Sequence, residues 1–267
     1  MTVFRRRAPH EAPLVVGHRG GRGPDLPVEN TLPAFERARA DGAVAVELDV
    51  RTTRDGRVVV FHDRTLRRLR AGDDRTVDSM DADTLLRTPL DGDVTVPTLD
   101  DVLAWAKERD VSVNVEMKRD VPSRGDVVRG VLRSLRRTGS SESVIVSSFD
   151  PWMLVHLGAV APNVRRALLT HARGSASPAL RAVARRPWVH AIHVERSEVT
   201  AARVDAWHAR SLVVATWTIA GVDDARIAAD AGVDVLVTDR PGRLLGTFVP
   251  GYPSAGANVI RTRPVRA

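Results

Sequence analysis

The 267-residue chain contains no cysteine. Disulfides, zinc–thiolate sites, iron–sulfur clusters and a cysteine nucleophile are thereby excluded, while the redox compartment stays open. Aromatic residues make up only 4%, too few for a base-stacking platform. No apolar run approaches the roughly 18 residues of a membrane span. No helix with the aromatic or apolar face needed for stable membrane insertion is evident. Arg5, Arg6 and Arg7 are not followed by the apolar stretch of a secretory signal, so the expected compartment is cytoplasmic. Lysine is also scarce: of 40 basic residues, only Lys107 and Lys118 are lysines.

The net charge of +7 is concentrated at the ends. Arg5, Arg6, Arg7, Arg261, Arg263 and Arg266 lie in residues 1–12 and 246–267, where Glu11 is the one acid, so the body carries only +2. A basic groove across the body is not indicated, and no nucleic-acid partner is expected. The composition, 43% apolar and 27% charged, is that of a globular protein with a sizeable core.

Eight short, nearly continuous apolar runs punctuate the chain: 14–17, 44–50, 112–118, 143–149, 164–169, 189–194, 212–219 and 234–238. Such runs read as strands buried on both faces. Amphipathic segments alternate with them. Thr98 followed by Asp101 opens one with a capping box, and Thr31 with Pro33 opens another. Alanine-rich helical patterns cover 178–185, 199–209 and 222–231. Eight strand–helix repeats predict an α/β protein, a (β/α)8 TIM barrel, over residues 13–245. The glycine-rich His18–Gly23 lacks dinucleotide-loop spacing. The long interval after the second barrel strand predicts a small insertion, about 64–97, over the barrel mouth. The basic tail 246–267 is expected to be loosely ordered.

Functional groups of such barrels sit at the C-terminal ends of the strands. Glu47 and Asp49 are two apart and share one side of a strand. Glu116 on the next strand can join them. Carboxylates so grouped fit a divalent cation with oxygen ligands, or salt bridging to the many arginines. A hairpin turning near residues 54–55 is expected to return His62 opposite Glu47. His18 ends the neighbouring strand, so two imidazoles flank the same place, an inventory suited to acid–base hydrolysis of a phosphoester. Lys118, in a chain that otherwise uses arginine, reads as a chosen point charge, and Arg19 as a planar fork for phosphate. His156, His171, His190, His193 and His208 are read as structural.

The segments His18-Arg19-Gly20, Glu29-Asn30-Thr31, Glu47-Leu48-Asp49-Val50, Thr53-Arg54-Asp55-Gly56, His62-Asp63 and Glu116-Met117-Lys118 together resemble the glycerophosphodiester phosphodiesterase family. Ser147–Asp150, Trp217-Thr218 and Thr238–Pro241 extend the match over roughly residues 14–245. The resemblance implies a TIM barrel with a small insertion and metal-dependent hydrolysis of a small-molecule glycerophosphodiester to sn-glycerol 3-phosphate and an alcohol. It implies His18 and His62 as the acid–base pair, and Glu47, Asp49 and Glu116 as ligands of Mg2+ or Ca2+. Arg19 and Lys118 would hold phosphate, and Trp217 would pack on the glycerol. The alternatives are a barrel of the same type acting on a lysophospholipid or phosphatidylinositol-like substrate, and a non-catalytic barrel that binds phospho-ligands. The chain departs from the family pattern at Val28, Arg68-Leu69-Arg70 and Ile219-Ala220, which bears on the leaving group.

Overall fold

The computed structural model of the chain describes residues 3–8, 10–171 and 188–248. In chain order the strands are β1 (Leu14–Gly17), β2 (Ala45–Thr52), β3 (Val58–Val60), β4 (Ser112–Met117), β5 (Val144–Ser148), β6 (Arg165–Thr170), β7 (Ala191–Glu195), β8 (Val213–Ile219) and β9 (Val235–Thr238). All but β3 run parallel, in the order β1-β9-β8-β7-β6-β5-β4-β2, and β1 pairs with β2 to close the barrel. Strand β3 is antiparallel to β2 on the outside. This is the expected TIM barrel with one additional strand.

Helices α1 (Leu32–Ala40), α2 (Ala82–Leu86), α3 (Leu99–Glu108), α4 (Arg124–Thr138) and α5 (Pro151–Val160) are followed by helices at Ala201–His208, Val222–Asp230 and Pro241–Phe248. The starts follow local chemistry. Thr98 and Asp101 form the reciprocal capping box of α3, at 3.2 and 3.1 Å, satisfying two otherwise free amides. The helix expected at 178–185 lies outside the described residues, as does nearly all of the tail.

The barrel has two apolar regions. Outside it, Val46, Leu48, Val113, Val115, Val144 and Val146 pack against α1, α3 and α4. Inside, Val16, Ala45, Ile145, Ala167, Ala191, Ala215 and Val235 fill the N-terminal half together with Phe4, which is 2% exposed. The small alanines leave room for that ring, so the pre-barrel segment stoppers the end away from the site. Between β3 and α3 the insertion forms its own cluster: Phe61, Leu66, Val77, Met80, Leu85 and Val96 pack on the outward Val59.

The hairpin corrects one expectation. Val50 pairs with Val60 and Thr52 with Val58, which puts His62 across from Leu48 rather than Glu47. The cause is loop length. Thr53 and Arg57 close a three-residue loop at 3.0 Å, with Gly56 at φ 78°. A turn of this kind centres on Asp55 and shifts the register by one.

Helix α4 approaches β3 so closely that a Cβ on Gly130 would lie 2.3 Å from Val58 Cγ2. Alanine would gain about 1 kcal/mol of helix propensity there, but overpacking costs about 1–3 kcal/mol. Gly130→Ala is therefore expected to lower the thermal unfolding midpoint, measured by circular dichroism, whereas the same change in an exposed helix would raise it.

Candidate active site

Register builds the site. Gly17 pairs with Thr238, so the next residues, His18 and Asp239, meet at the same end. His18 Nδ1 donates to Asp239 Oδ1 at 2.6 Å. The chain then reverses through two left-handed residues, Arg19 at φ 52° and Gly20 at φ 85°. A Cβ at Gly20 would meet the Ala34 backbone at 2.7 Å, so both space and conformation require glycine. The reversal aims the Arg19 amide at Glu47 Oε2, at 3.0 Å.

Asp49 pairs with Glu116 across β2 and β4, and Glu47 with Asn114. Side chains two apart share a face, so Glu47, Asp49 and Glu116 converge, with one oxygen of each within 4.8 Å of the others. Lys118 Nζ donates to Asp49 Oδ1 at 2.9 Å and to Glu116 Oε1 at 2.8 Å. Asn30 donates to Asp49 Oδ2 at 2.9 Å. Burial alone would raise the Asp49 carboxyl, but Lys118, Arg19 and His62 hold it far below the usual range. Glu47 is the opposite case. Burial, Asp49 and Glu116 push it well above the ordinary carboxylate value, with Arg19 the opposing charge. Three converging carboxylates, one of them undercompensated, are a donor set that fits a hard divalent cation.

His62 Nδ1 donates to Asp63 Oδ1 at 2.6 Å. A carboxylate only accepts, so each histidine's hydrogen sits on Nδ1 and Nε2 is the free nitrogen. Asp63 also receives Arg68 Nε at 2.5 Å. Arg68, from the insertion, reaches Glu29 Oε1 at 2.7 Å, which Arg19 also reaches at 2.7 Å. Arg22 donates to Glu29 Oε2 at 2.7 Å. Glu29 is 7% exposed. Burial would raise its carboxyl, but Arg68 and Arg19 hold it down at about 2. Arg19 Nε lies 3.1 Å from Asp49 Oδ2, yet makes no aligned hydrogen bond.

His18, His62, Arg19, Glu47, Glu116, Lys118 and Trp217 all line one cavity of about 480 Å3. Asp49 lies just beneath, bonded to Lys118. One wall is aromatic: Phe149 stacks on His171 at 4.2 Å, and Trp217 meets both edge-on at 5.6 and 5.3 Å. His171 and His193, expected to be structural, line this cavity too. Burial depresses the His193 imidazole to about 4, so it is neutral at neutral pH.

A profile of the Glycerophosphoryl diester phosphodiesterase family matches residues 18–243. The chain belongs to that family. It is 30% identical over 245 residues to a glycerophosphodiester phosphodiesterase of Caldanaerobacter subterraneus, covering 89% of this chain and 98% of that protein. The crystal structure of a glycerophosphodiester phosphodiesterase from Agrobacterium tumefaciens superposes with a TM-score of 0.69 at 28% identity, covering 87% of this chain and 99% of that one. An Oleispira antarctica phosphodiesterase in complex with the product sn-glycerol-3-phosphate has the same fold, with a TM-score of 0.77, 24% identity and coverage of 87% and 95%.

Residue-by-residue reading found no role for Asp239, Asp63, Asn30, Glu29 or Arg68. Only two signals were available: an acid directly after His62, and another closing the last barrel strand beside the first. Nothing local links Glu29 to Arg68, since the contact spans 39 residues.

Glu29 yields a pH prediction. Its folded value of about 2 lies below the usual ~4.3 of an unfolded glutamate. The stabilisation is therefore complete above ~4.3 and is lost as pH falls towards 2. Its size is on the order of 3 kcal/mol. Glu29→Gln should lower stability to urea at pH 7 by about that amount and flatten the loss between pH 4.5 and 2. An unchanged acid limb would contradict the clamp.

Proposed function

We propose that the protein hydrolyses small-molecule glycerophosphodiesters to sn-glycerol 3-phosphate and an alcohol by paired-histidine acid–base catalysis, with Mg2+ or Ca2+ as cofactor. The observation that carries this reading is the presence at one cavity of two imidazoles, each with its Nδ1 bound by a carboxylate, beside the Glu47–Asp49–Glu116 cluster. Family membership supports it, as does the product held by the Oleispira antarctica fold relative.

Glu47, Asp49 and Glu116 would hold the divalent cation, which when bound supplies positive charge for the phosphate oxygens. Lys118 and Arg19 add charge at the same place, so the dianionic character that builds during displacement meets fixed cations rather than water. Trp217 packs on the glycerol with the apolar face of its ring. One histidine removes at Nε2 the proton of the nucleophile, either a water, which gives glycerol 3-phosphate directly, or the glycerol 2-hydroxyl, whose cyclic phosphate a water then opens. The other delivers a proton from Nε2 to the departing alkoxide, which is too basic to leave freely. Asp239 and Asp63 fix each ring and stabilise it when it carries the second proton. In-line displacement requires attacking and leaving oxygens on opposite sides of phosphorus, so the two rings act from opposite sides.

With glycerophosphocholine as substrate, His18→Ala and His62→Ala are each expected to lower kcat by about 10²–10⁴. A nitrophenyl diester leaves without a proton, so it should restore one variant and thereby identify the acid. Full activity of both variants on glycerophosphocholine would exclude paired-histidine catalysis. Chelation should abolish turnover, and Mg2+ or Ca2+ should restore it. Glu116→Gln should weaken that cation's affinity, read by calorimetry, about tenfold or more.

A further inference from the structure

Two arginines lining the cavity donate no side-chain hydrogen bond to a carboxylate among the described residues. Arg119 directly follows Lys118, and its guanidinium lies over the Phe149 ring, 5.9 Å from the centroid. It makes no ion pair among the described residues, although Asp120 is the next residue. That acid is taken: Arg51 Nη2 donates to both Asp120 oxygens, at 2.9 and 2.8 Å. Arg51 also ties the two loops together, donating from Nε to the His62 carbonyl at 2.9 Å. Arg64 repeats the pattern on the other loop. Its neighbour Asp63 is held by His62 and Arg68. The acid nearest Arg64 is Asp78, at 3.7 Å and without a hydrogen bond. The other cavity-lining cations, Arg19, Arg22, Arg51 and Lys118, each hold a carboxylate closely.

These two guanidiniums, one without an ion pair and one with only the loose Asp78 contact, belong to the loops just past His62 and Lys118. They line the same cavity as His18, His62, Arg19 and Lys118. With the glycerol on Trp217, as proposed above, the alcohol is the part of the substrate left to meet these two loops. Guanidiniums with unused donors repel a cationic head group and form charge-assisted, two-pronged hydrogen bonds with an oxyanion. Packing on Phe149 holds Arg119 in place at small entropic cost. We propose that Arg64 and Arg119 form a rim subsite for an oxyanion on the leaving alcohol. The preferred substrates are then glycerophosphodiesters whose head group bears a phosphate or carboxylate. This rests on the hydrolase reading above and names the substrate class for it.

The test compares kcat/KM for four diesters in the presence of the restoring cation. These are glycerophosphoglycerol, the same compound phosphorylated on its head glycerol, the diester of 3-hydroxypropanoate, and glycerophosphocholine. At least one anionic head group should exceed the neutral one about tenfold, the scale of one charge-assisted hydrogen bond, with choline lowest. The better of the two identifies the oxyanion. Arg64→Ala and Arg119→Ala should each bring the anionic-to-neutral ratio down several-fold, and 0.5 M salt, on the order of a 4 Å screening length, should do the same to the wild type. Equal or better turnover of choline overturns the subsite, as does an anionic preference that both variants retain. Failure to hydrolyse any of the four overturns the hydrolase reading and the subsite with it. Hydrolysis of all four without preference overturns the subsite alone.

Discussion

The controlling constraint is the concentration of negative charge beneath the barrel mouth. Glu29, Glu47, Asp49 and Glu116 are all nearly inaccessible to water. Carboxylates removed from water repel one another strongly and lose hydration. The fold can hold them only by supplying charge and donors in fixed places. Lys118 divides itself between Asp49 and Glu116, Asn30 serves Asp49, and Arg19 serves Glu29 with its side chain and Glu47 with its backbone. Among the described residues Glu47 receives only the Arg19 amide, and burial together with Asp49 and Glu116 pushes its carboxyl up. At position 118 a compact ammonium sits between two carboxylates, at 2.9 and 2.8 Å.

That charge pattern is reached by register, and register is set by apolar side chains. Val46, Leu48 and Val50 face the outer core, fixing β2 against slippage. A slip of one residue would exchange them with Glu47 and Asp49. The apolar shell therefore decides which way the acids point, and no specific polar contact is needed to choose it. The same rule places His18 beside Asp239, because β1 and β9 are locked by Val15, Val16, Leu236 and Val237.

Much of this could be read from the chain before folding. Alternating apolar runs specify parallel strands, and strand-end polar residues specify the mouth. Glu47 and Asp49 betray a shared face by their spacing. What escaped was either tertiary or a matter of one residue. The His62 register turned on whether the hairpin loop holds two or three residues, which Gly56 at φ 78° decides. His193 is buried on β7 and His171 is an exposed residue just past β6, and only closure of the barrel brings both to the cavity. Phe4 lies in a segment with no periodicity, and its burial depends on four distant alanines lining the barrel interior.

The insertion acquires a definite physical role from these contacts. Its Arg68 is bonded to Asp63, which orients His62, and to Glu29, which orients Arg19. A continuous chain of opposite charges thus runs from His62 through Asp63, Arg68, Glu29 and Arg19 to the edge of the Glu47–Asp49 pair. Arg22 extends it towards Asp239, 3.7 Å away, and so towards His18. Each link is partly shielded from water, where electrostatic coupling is stronger than at the surface. The insertion's apolar cluster anchors to Val59 and Phe61 of the β3 segment, immediately before His62, so its packing fixes the same loop that its arginine neutralises. Displacing this segment would therefore disturb both histidines through their carboxylates before it disturbed the barrel, whose own core is built from other residues.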